Sequence, residues 1–249
     1  MKIPPTILIE SATLPEAWGK LVRTCMRDGM TIKTQYGPVS KDMCAVVEIT
    51  HPFAMPMLHP DFPTKELHLA EYVKQWERTY DWKKQGFEYT YIDRLTHYPS
   101  TPNYADEKLA QYYSYCQIEF MDKGLIDQLA KIRYELSKGI TSRRMQAITW
   151  IPDRDLFVEE DQPCLQRISV RILNPGEVEV HSEWRSRDLF AAWNSNVIGL
   201  LTMIKKELLE PNNLKLVKYV EFIDYAHIYE ADWETANKVH QYASDPSLK

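Results

Sequence analysis

Two runs, Leu165-Gln166-Arg167-Ile168-Ser169-Val170-Arg171-Ile172-Leu173 and Glu177-Val178-Glu179-Val180-His181-Ser182-Glu183-Trp184, alternate in polarity on either side of Asn174-Pro175-Gly176. Period-two alternation makes each run a strand with one buried face, and Asn-Pro-Gly is turn chemistry. Centring the hairpin near Pro175 sets Ile172 against Val178 and Val170 against Val180. On the other face it sets Arg171 against Glu179 and Arg167 against Glu183. Apolar pairs on one side and opposite charges on the other are what cross-strand pairing prefers. A slip of one residue would mix the two faces. An antiparallel hairpin among helix-period segments predicts an α+β fold, a mixed sheet with helices packed on one face.

The same register carried outward puts Cys164 opposite Ser186 and beside Arg185, with Asp188 just beyond. A thiol and an Arg-Ser pair, distant in sequence, become neighbours. Positive charge and hydrogen-bond donors lower a thiol's pKa and make it a nucleophile. A lone Cys at a strand end can equally be a small hydrophobe. The simple register leaves Arg185 on the face opposite Cys164, so a β-bulge near Trp184 is needed for both to meet one ligand.

The rest of the chain alternates helix-period and strand-period segments. Pro15 to Arg27 reads as a helix burying Trp18, Leu21, Val22 and Cys25, with Gly29 just past its end. Met43 to Thr50 reads as a strand, proline-rich His51 to Pro63 as a loop, and Glu66 to Lys84 as a helix. Tyr98 to Asp106 reads as an exposed loop, followed by a long helical region containing Cys116. Its best-phased part is Leu125 to Lys138, with Leu129, Ile132 and Leu136 on one face and Gly139 as the stop. Ala147 to Ile151 is a short strand, Phe190 to Leu209 a buried helix and Leu216 to Ile223 a last alternating strand. From Asp232 a helix and a polar tail are expected.

Length and composition set the class. At 249 residues, 44% hydrophobic and 26% charged, the chain suits one globular domain over residues 1–249. A net charge of −5 offers no basic field for nucleic acid or anionic lipid. Eight scattered glycines form neither a dinucleotide fingerprint nor a P-loop, so a bound phosphate must be held by side chains. Arg185 with Ser186, and the pair Arg143-Arg144, are the residues suited to that task. The Arg143-Arg144 pair also has a plain reading as a solvated helix or loop end. The four cysteines are far apart and no histidine lies near them at zinc-ligand spacing, so neither a metal site nor a disulfide framework is expected. A reducing cytoplasm is the default setting, and no apolar run is long enough to span a membrane.

Pro163-Cys164, Trp184-Arg185-Ser186-Arg187-Asp188-Leu189-Phe190, Asn196 and Ala226-His227-Ile228-Tyr229 together resemble the thymidylate synthase and deoxycytidylate hydroxymethylase superfamily. The resemblance is to its shorter archaeal-type thymidylate synthase branch. Ser142-Arg143-Arg144 and Tyr89-Thr90-Tyr91 match in order and approximate spacing, and the likeness runs from Tyr89 to Trp233.

The resemblance implies roles. Cys164 is the nucleophile that adds to C6 of the pyrimidine, making C5 able to attack a one-carbon unit. Arg185 and Ser186 hold the phosphate, and Arg143 and Arg144 reach the phosphate in the partner subunit of a homodimer. Asp188 orders pyrimidine and pterin, and Tyr91 lies on the pterin side. Asn196 reads the O4 and N3 edge, where an amide suits uracil. His227 and Tyr229 bind the ribose; under the hairpin register Gln166 shares the inward face with Cys164, as a substrate-binding residue would. Glu71 is the choice for the proton-relaying glutamate, with Glu66 and Glu77 close by. The implied co-substrate is 5,10-methylenetetrahydrofolate or a related reduced pterin, with dUMP as substrate and no metal.

The chain departs from the wider family in places. Leu165 follows the cysteine where many bacterial members have His, and Gln35 stands near the place of a further phosphate arginine. The tail Ser244-Asp245-Pro246-Ser247-Leu248-Lys249 does not resemble the family's closing segment. Methyl transfer to dUMP, hydroxymethylation of dUMP or a cytidylate, and nucleotide binding without turnover all remain open from sequence.

Overall fold

The computed structural model describes residues 3–99, 125–159, 161–243 and 245. The expected Tyr98–Asp106 loop, apart from its first two residues, lies outside them. So do Cys116 and most of the C-terminal tail. One sheet organises the described residues. Its strands are β1 (Thr6–Ser11), β2 (Met30–Lys33), β3 (Val39–Ile49), β6 (Gln146–Ile148), β7 (Leu165–Asn174), β8 (Glu177–Asp188) and β9 (Lys215–Tyr229). They run in the order β1-β3-β9-β8-β7-β6, with β2 also on β3, and Tyr98–Pro99 (β4) pairs separately with Leu125–Ile126 (β5). β1 with β3 and β8 with β9 are parallel and the other pairs antiparallel, so the fold is α+β with a mixed sheet, as expected.

The central hairpin has the expected register over most of its length. Ile172 faces Val178, Val170 faces Val180, Arg171 faces Glu179 and Arg167 faces Glu183. Both charged pairs close as ion pairs. Gly176 turns the chain with φ +79°, a conformation that costs a residue without Cβ little.

Helix α1 (Leu14–Asp28) lies on β3 and β9 with Trp18, Leu21, Val22 and Cys25 fully buried, as its spacing predicts. The Trp18 indole N–H donates to Leu189 O at 2.7 Å, tying α1 to the end of β8. Helix α6 (Trp193–Ile204) packs beside α1 and against α2 (Glu66–Lys74), and one π-helical turn, Lys205–Leu209, extends it. Trp18, Trp184 and Trp193 are the largest fully buried side chains. Truncating any one would cost roughly 3–5 kcal/mol.

Three expectations need correction. The helix expected to Lys84 ends at Lys74, because Trp76 seats against Gly199 of α6 and Arg78 is drawn to Asp127 and Glu207. The helix expected from Leu125 starts at Gln128 (α4, Gln128–Ser137), because Asp127 caps it by accepting from Ala130 N. The last strand runs on to Tyr229 and so carries His227 and Tyr229 itself.

Candidate active site

The hairpin's regular pairing breaks at Gln166. Arg167 faces Glu183, but Leu165 faces Trp184, so Gln166 is an extra residue. This is the bulge the sequence requires, and it corrects the partner of Cys164. Arg185, not Ser186, stands opposite, with its backbone N–H donating to Cys164 O at 2.9 Å. The Arg185 guanidinium turns onto the same loop, donating from Nε to Pro163 O at 3.0 Å and from Nη2 to Gln162 O at 2.6 Å. Gln166 folds back to donate to Pro163 O at 2.6 Å. The Tyr91 hydroxyl, at the start of α3 (Tyr91–Thr96), accepts from Cys164 N at 3.3 Å and Leu165 N at 3.4 Å. The half-buried thiol, in no disulfide and with its Sγ 4.0 Å from Gln162 O, therefore sits on a loop braced from both sides.

That loop is fixed at longer range too. Arg94 and Asp155 form a buried bidentate pair at 2.8 and 2.9 Å, joining α3 to α5 (Pro152–Asp155). Gln162 donates to Asp155 O at 2.9 Å, and the Arg94 guanidinium lies 4.5 Å from the Tyr89 ring centre.

The bulge belongs to a wider change of phase. β8 buries Val178, Val180, Ser182 and Trp184, then Arg187; β9 buries Tyr219, Glu221 and Ile223, then Ala226 and Ile228. The β3–β9 pairing shifts between Met43 and Ala45 at the same level. Bulges re-aim side chains at sites like this one. Beyond the shift, Asp188 on β8 faces His227 on β9. One Asp188 oxygen accepts from Ala191 N at 2.9 Å, so it does cap the following turn. Ser186 is half-buried on the same strand, opposite Tyr225.

His227 Nδ1 lies 3.2 Å from Tyr225 O. A carbonyl only accepts, so Nδ1 carries the proton and Nε2 is an acceptor. That Nε2 is buried and has no partner among the described residues, which suits a hydroxyl ligand. The Tyr229 ring stands 4.8 Å from the His227 ring. Burial pushes the Tyr229 phenol up, with the charges of Asp188, Tyr36, Cys164 and Asp42 adding to the effect. Asp232 is raised by burial and by Asp188.

Asn196 on α6 is held by two residues that motif spacing does not point to. Its Oδ1 accepts from Arg187 Nη1 at 2.6 Å, and its Nδ2 donates to the Tyr72 hydroxyl. Arg187 is buried against Glu221, Nε to Oε1 at 2.8 Å and Nη2 to Oε2 at 3.2 Å, with its guanidinium 3.5 Å from the Trp184 ring centre. Burial pulls the guanidinium pKa down, but Glu221 outweighs this and holds it above its ordinary value. Glu221 also accepts from Trp193 Nε1 at 3.0 Å and Tyr219 Oη at 2.7 Å. One signal was visible in the sequence: Glu221 falls in the apolar phase of its strand, between Tyr219 and Ile223.

Tyr72, Trp76, Phe87, Tyr89 and Tyr91 line a cavity of about 130 Å³ beside this loop. Flat heteroaromatic rings fit such walls. Gly199 lets Trp76 approach, since a Cβ there would stand 2.2 Å from its Nε1.

Other expected residues lie elsewhere. Glu71 is on the exposed side of α2, paired with Lys74 at 2.6 Å; Glu66 is exposed, and Glu77 pairs with Lys206 at 3.4 Å. Gln35 is in the exposed turn between β2 and β3. Arg143 and Arg144 are exposed around an open hollow with Thr141, Ser142 and Arg171. Val170 N donates to Met145 O, so this pair flanks the turn end of β7. Cys164 lies at the opposite end, seven strand residues or roughly 23 Å from Arg171. Among the described residues no cluster of His, Cys, Asp and Glu is arranged to hold a metal ion. No helix among them is long and apolar enough to cross a membrane.

The strand ends gather a braced thiol, an arginine and an unpartnered histidine nitrogen, and α6 holds a locked amide beside them. Comparison with known proteins gives the family. The thymidylate synthase family model matches residues 60–248, so the chain belongs to that family. A relative from Methanocaldococcus jannaschii, named "Putative thymidylate synthase", is 31% identical over 202 residues, covering 79% of each chain. Relatives of the same name from Methanopyrus kandleri and Methanosarcina barkeri are 27% and 25% identical, covering 91% and 93% of this chain and 94% of each relative.

Proposed function

We propose that this chain is a thymidylate synthase that transfers a one-carbon unit to C5 of dUMP through a covalent Cys164 adduct. The observation that carries this is the bulge at Gln166, which sets Arg185 opposite Cys164 with its guanidinium on the loop of residues 162–164, on the strand that pairs Asp188 with His227. The Cys164 thiolate forms a bond to C6, and the C5–C6 π pair moves to C5 and the C4 oxygen. C5 then bonds to the one-carbon unit; loss of the C5 proton would accompany breaking of that carbon's bond to the carrier nitrogen, and a hydride delivered to the resulting exocyclic methylene would expel the sulfur from C6, restoring the free thiolate.

Arg185 and Ser186 hold the phosphate by charge and hydroxyl, and His227 Nε2 with Tyr229 takes the ribose hydroxyl. Asn196 reads the O4 and N3 edge. Methylenetetrahydrofolate, when bound, supplies the carbon and then the hydride. Asp188 and Tyr91, with the aromatic walls of the adjoining cavity, would hold its ring.

The chain acts as a homodimer in this proposal. Leu8, Ile148, Phe222 and Tyr225 are exposed on the sheet face away from α1, as an apolar surface for a second subunit would be.

Release of tritium from 5-tritiated dUMP with methylenetetrahydrofolate tests the chemistry. Release is expected, and Cys164→Ala should lower it by at least about a thousandfold. No release, or undiminished release in the variant, would overturn the proposal. Dihydrofolate absorbance at 340 nm and a methyl product mass are expected; a hydroxymethyl product would reassign the final step to water.

A further inference from the structure

Resting on the proposed function, we infer that the C4 edge of the pyrimidine is read by two side chains: Asn196, whose amide is locked by Arg187, and the Tyr72 hydroxyl, which donates to O4. The deduction starts at Glu221, which is 0% exposed and must be neutralised where it sits. Arg187 binds it through Nε and Nη2, leaving Nη1 for Asn196. A guanidinium donates and never accepts, so the Asn196 atom facing it must be Oδ1. This fixes an amide orientation that is otherwise ambiguous. Nδ2 therefore faces Tyr72, and because it only donates, the Tyr72 oxygen accepts. The one proton of Tyr72 must point elsewhere, and it has no acceptor among the described residues. Tyr72 lines the same small cavity as Tyr91, whose hydroxyl accepts from Cys164 N, so that proton borders the reacting space.

The pairing selects one ring. Uracil presents an O4 acceptor to the Tyr72 O–H and an N3–H donor to the second lone pair of Asn196 Oδ1. Cytosine presents an amino donor and a bare N3, wrong at both positions. A free amide could rotate to suit cytosine; this one could do so only by turning Nδ2 toward a buried guanidinium. Tyr72 also has a part in the chemistry. As sulfur bonds to C6, negative charge moves onto O4, and a donor already aimed there binds the adduct more tightly than the ground state. No proton need leave Tyr72. Arg187 and Glu221 act through Asn196 and are positioning residues.

Binding of dUMP and of dCMP by calorimetry, together with tritium release, tests this. In Tyr72→Phe the dUMP:dCMP affinity ratio should fall about tenfold or more, with a comparable fall in kcat for release. The paired substitution Arg187→Met with Glu221→Gln removes the buried charges together. It should lower the same ratio while phosphate-dependent affinity for dCMP stays or rises, a split that general loosening would not give. If the paired variant does not fold by circular dichroism, Tyr72→Phe alone decides. A wild-type protein that prefers dUMP and releases tritium, with the ratio unchanged in Tyr72→Phe, overturns this inference and leaves the proposed function standing. A wild-type protein that binds neither nucleotide overturns both.

Discussion

Cys25 and Cys164 carry the same thiol into opposite circumstances. Cys25 is fully buried on the inner face of α1, with Sγ 3.2 Å from Lys41 O. Burial, and then the charge of Asp42, push its pKa from 9.0 up to about 12, only partly offset by Lys41. Cys164 is half-buried on an exposed-side loop. Native protein treated with iodoacetamide at pH 8 should therefore modify Cys164 and spare Cys25, read by peptide mass. The buried thiol also gives a pH dependence of known sign. The folded state holds this proton more tightly than the unfolded chain, so the stabilisation is complete below pH 9 and is lost as pH rises toward 12. Urea unfolding of wild type and Cys25→Ala should show a stability difference that shrinks across that window. A difference constant with pH would mean the thiol is not the group responsible. The burial of Cys25 could be read from its helical phase with Trp18, Leu21 and Val22, whereas Tyr72 could not: nothing in its spacing distinguishes it from Trp76, Tyr80 and Trp82 in the turns after α2.

At the scale of elements, one carboxylate does two jobs at the start of α4. Asp127 caps the helix through Ala130 N at 2.8 Å and pairs with Arg78 at 2.7 Å, and Arg78 also reaches Glu207. Asp127→Ala removes a cap and leaves Arg78 with one carboxylate fewer. The expected loss is about 2 kcal/mol by chemical denaturation, about half of it from the cap, since Arg78 is partly exposed and its pairing is screened. Asp127→Asn keeps a capping oxygen and should lose about half as much; equal losses in the two variants would assign the whole effect to charge. The same residue explains a limit of periodicity. Leu125 continues the apolar phase of Leu129, Ile132 and Leu136, yet the cap at Asp127 between them starts the helix only at Gln128. Alternation was a better guide for β7 and β8, because both faces of the hairpin carried a pattern and each constrained the other. β1 left little trace: Thr6–Ser11 pairs in parallel with a distant strand, and no turn joins them to reveal the register.

At the scale of the whole molecule, Arg143 and Arg144 pose a question one chain cannot answer. Their motif was legible, but where they act depends on a surface that sequence does not display. They flank the turn end of β7 while Cys164 stands at its other end, roughly 23 Å away along the strand. An arginine side chain spans about a third of that distance, so within one subunit the pair cannot join Arg185 on a phosphate. A two-fold partner across the exposed sheet face, where Leu8, Phe222 and Tyr225 lie bare, would carry each pair toward the other subunit's site. Sedimentation should then give a dimer, and the double variant Arg143→Ala, Arg144→Ala should lose dUMP affinity while still dimerising. Mixing is the sharper measurement. Subunits lacking both arginines, and separate subunits carrying Cys164→Ala, should each be nearly inactive in tritium release. Unfolded together and refolded as an equal mixture, half the dimers would be hybrid, each with one site combining an intact Cys164 and an intact arginine pair. Activity should return to about one quarter of wild type. If each arginine pair serves its own subunit, no hybrid site is complete and the mixture stays as inactive as its parents.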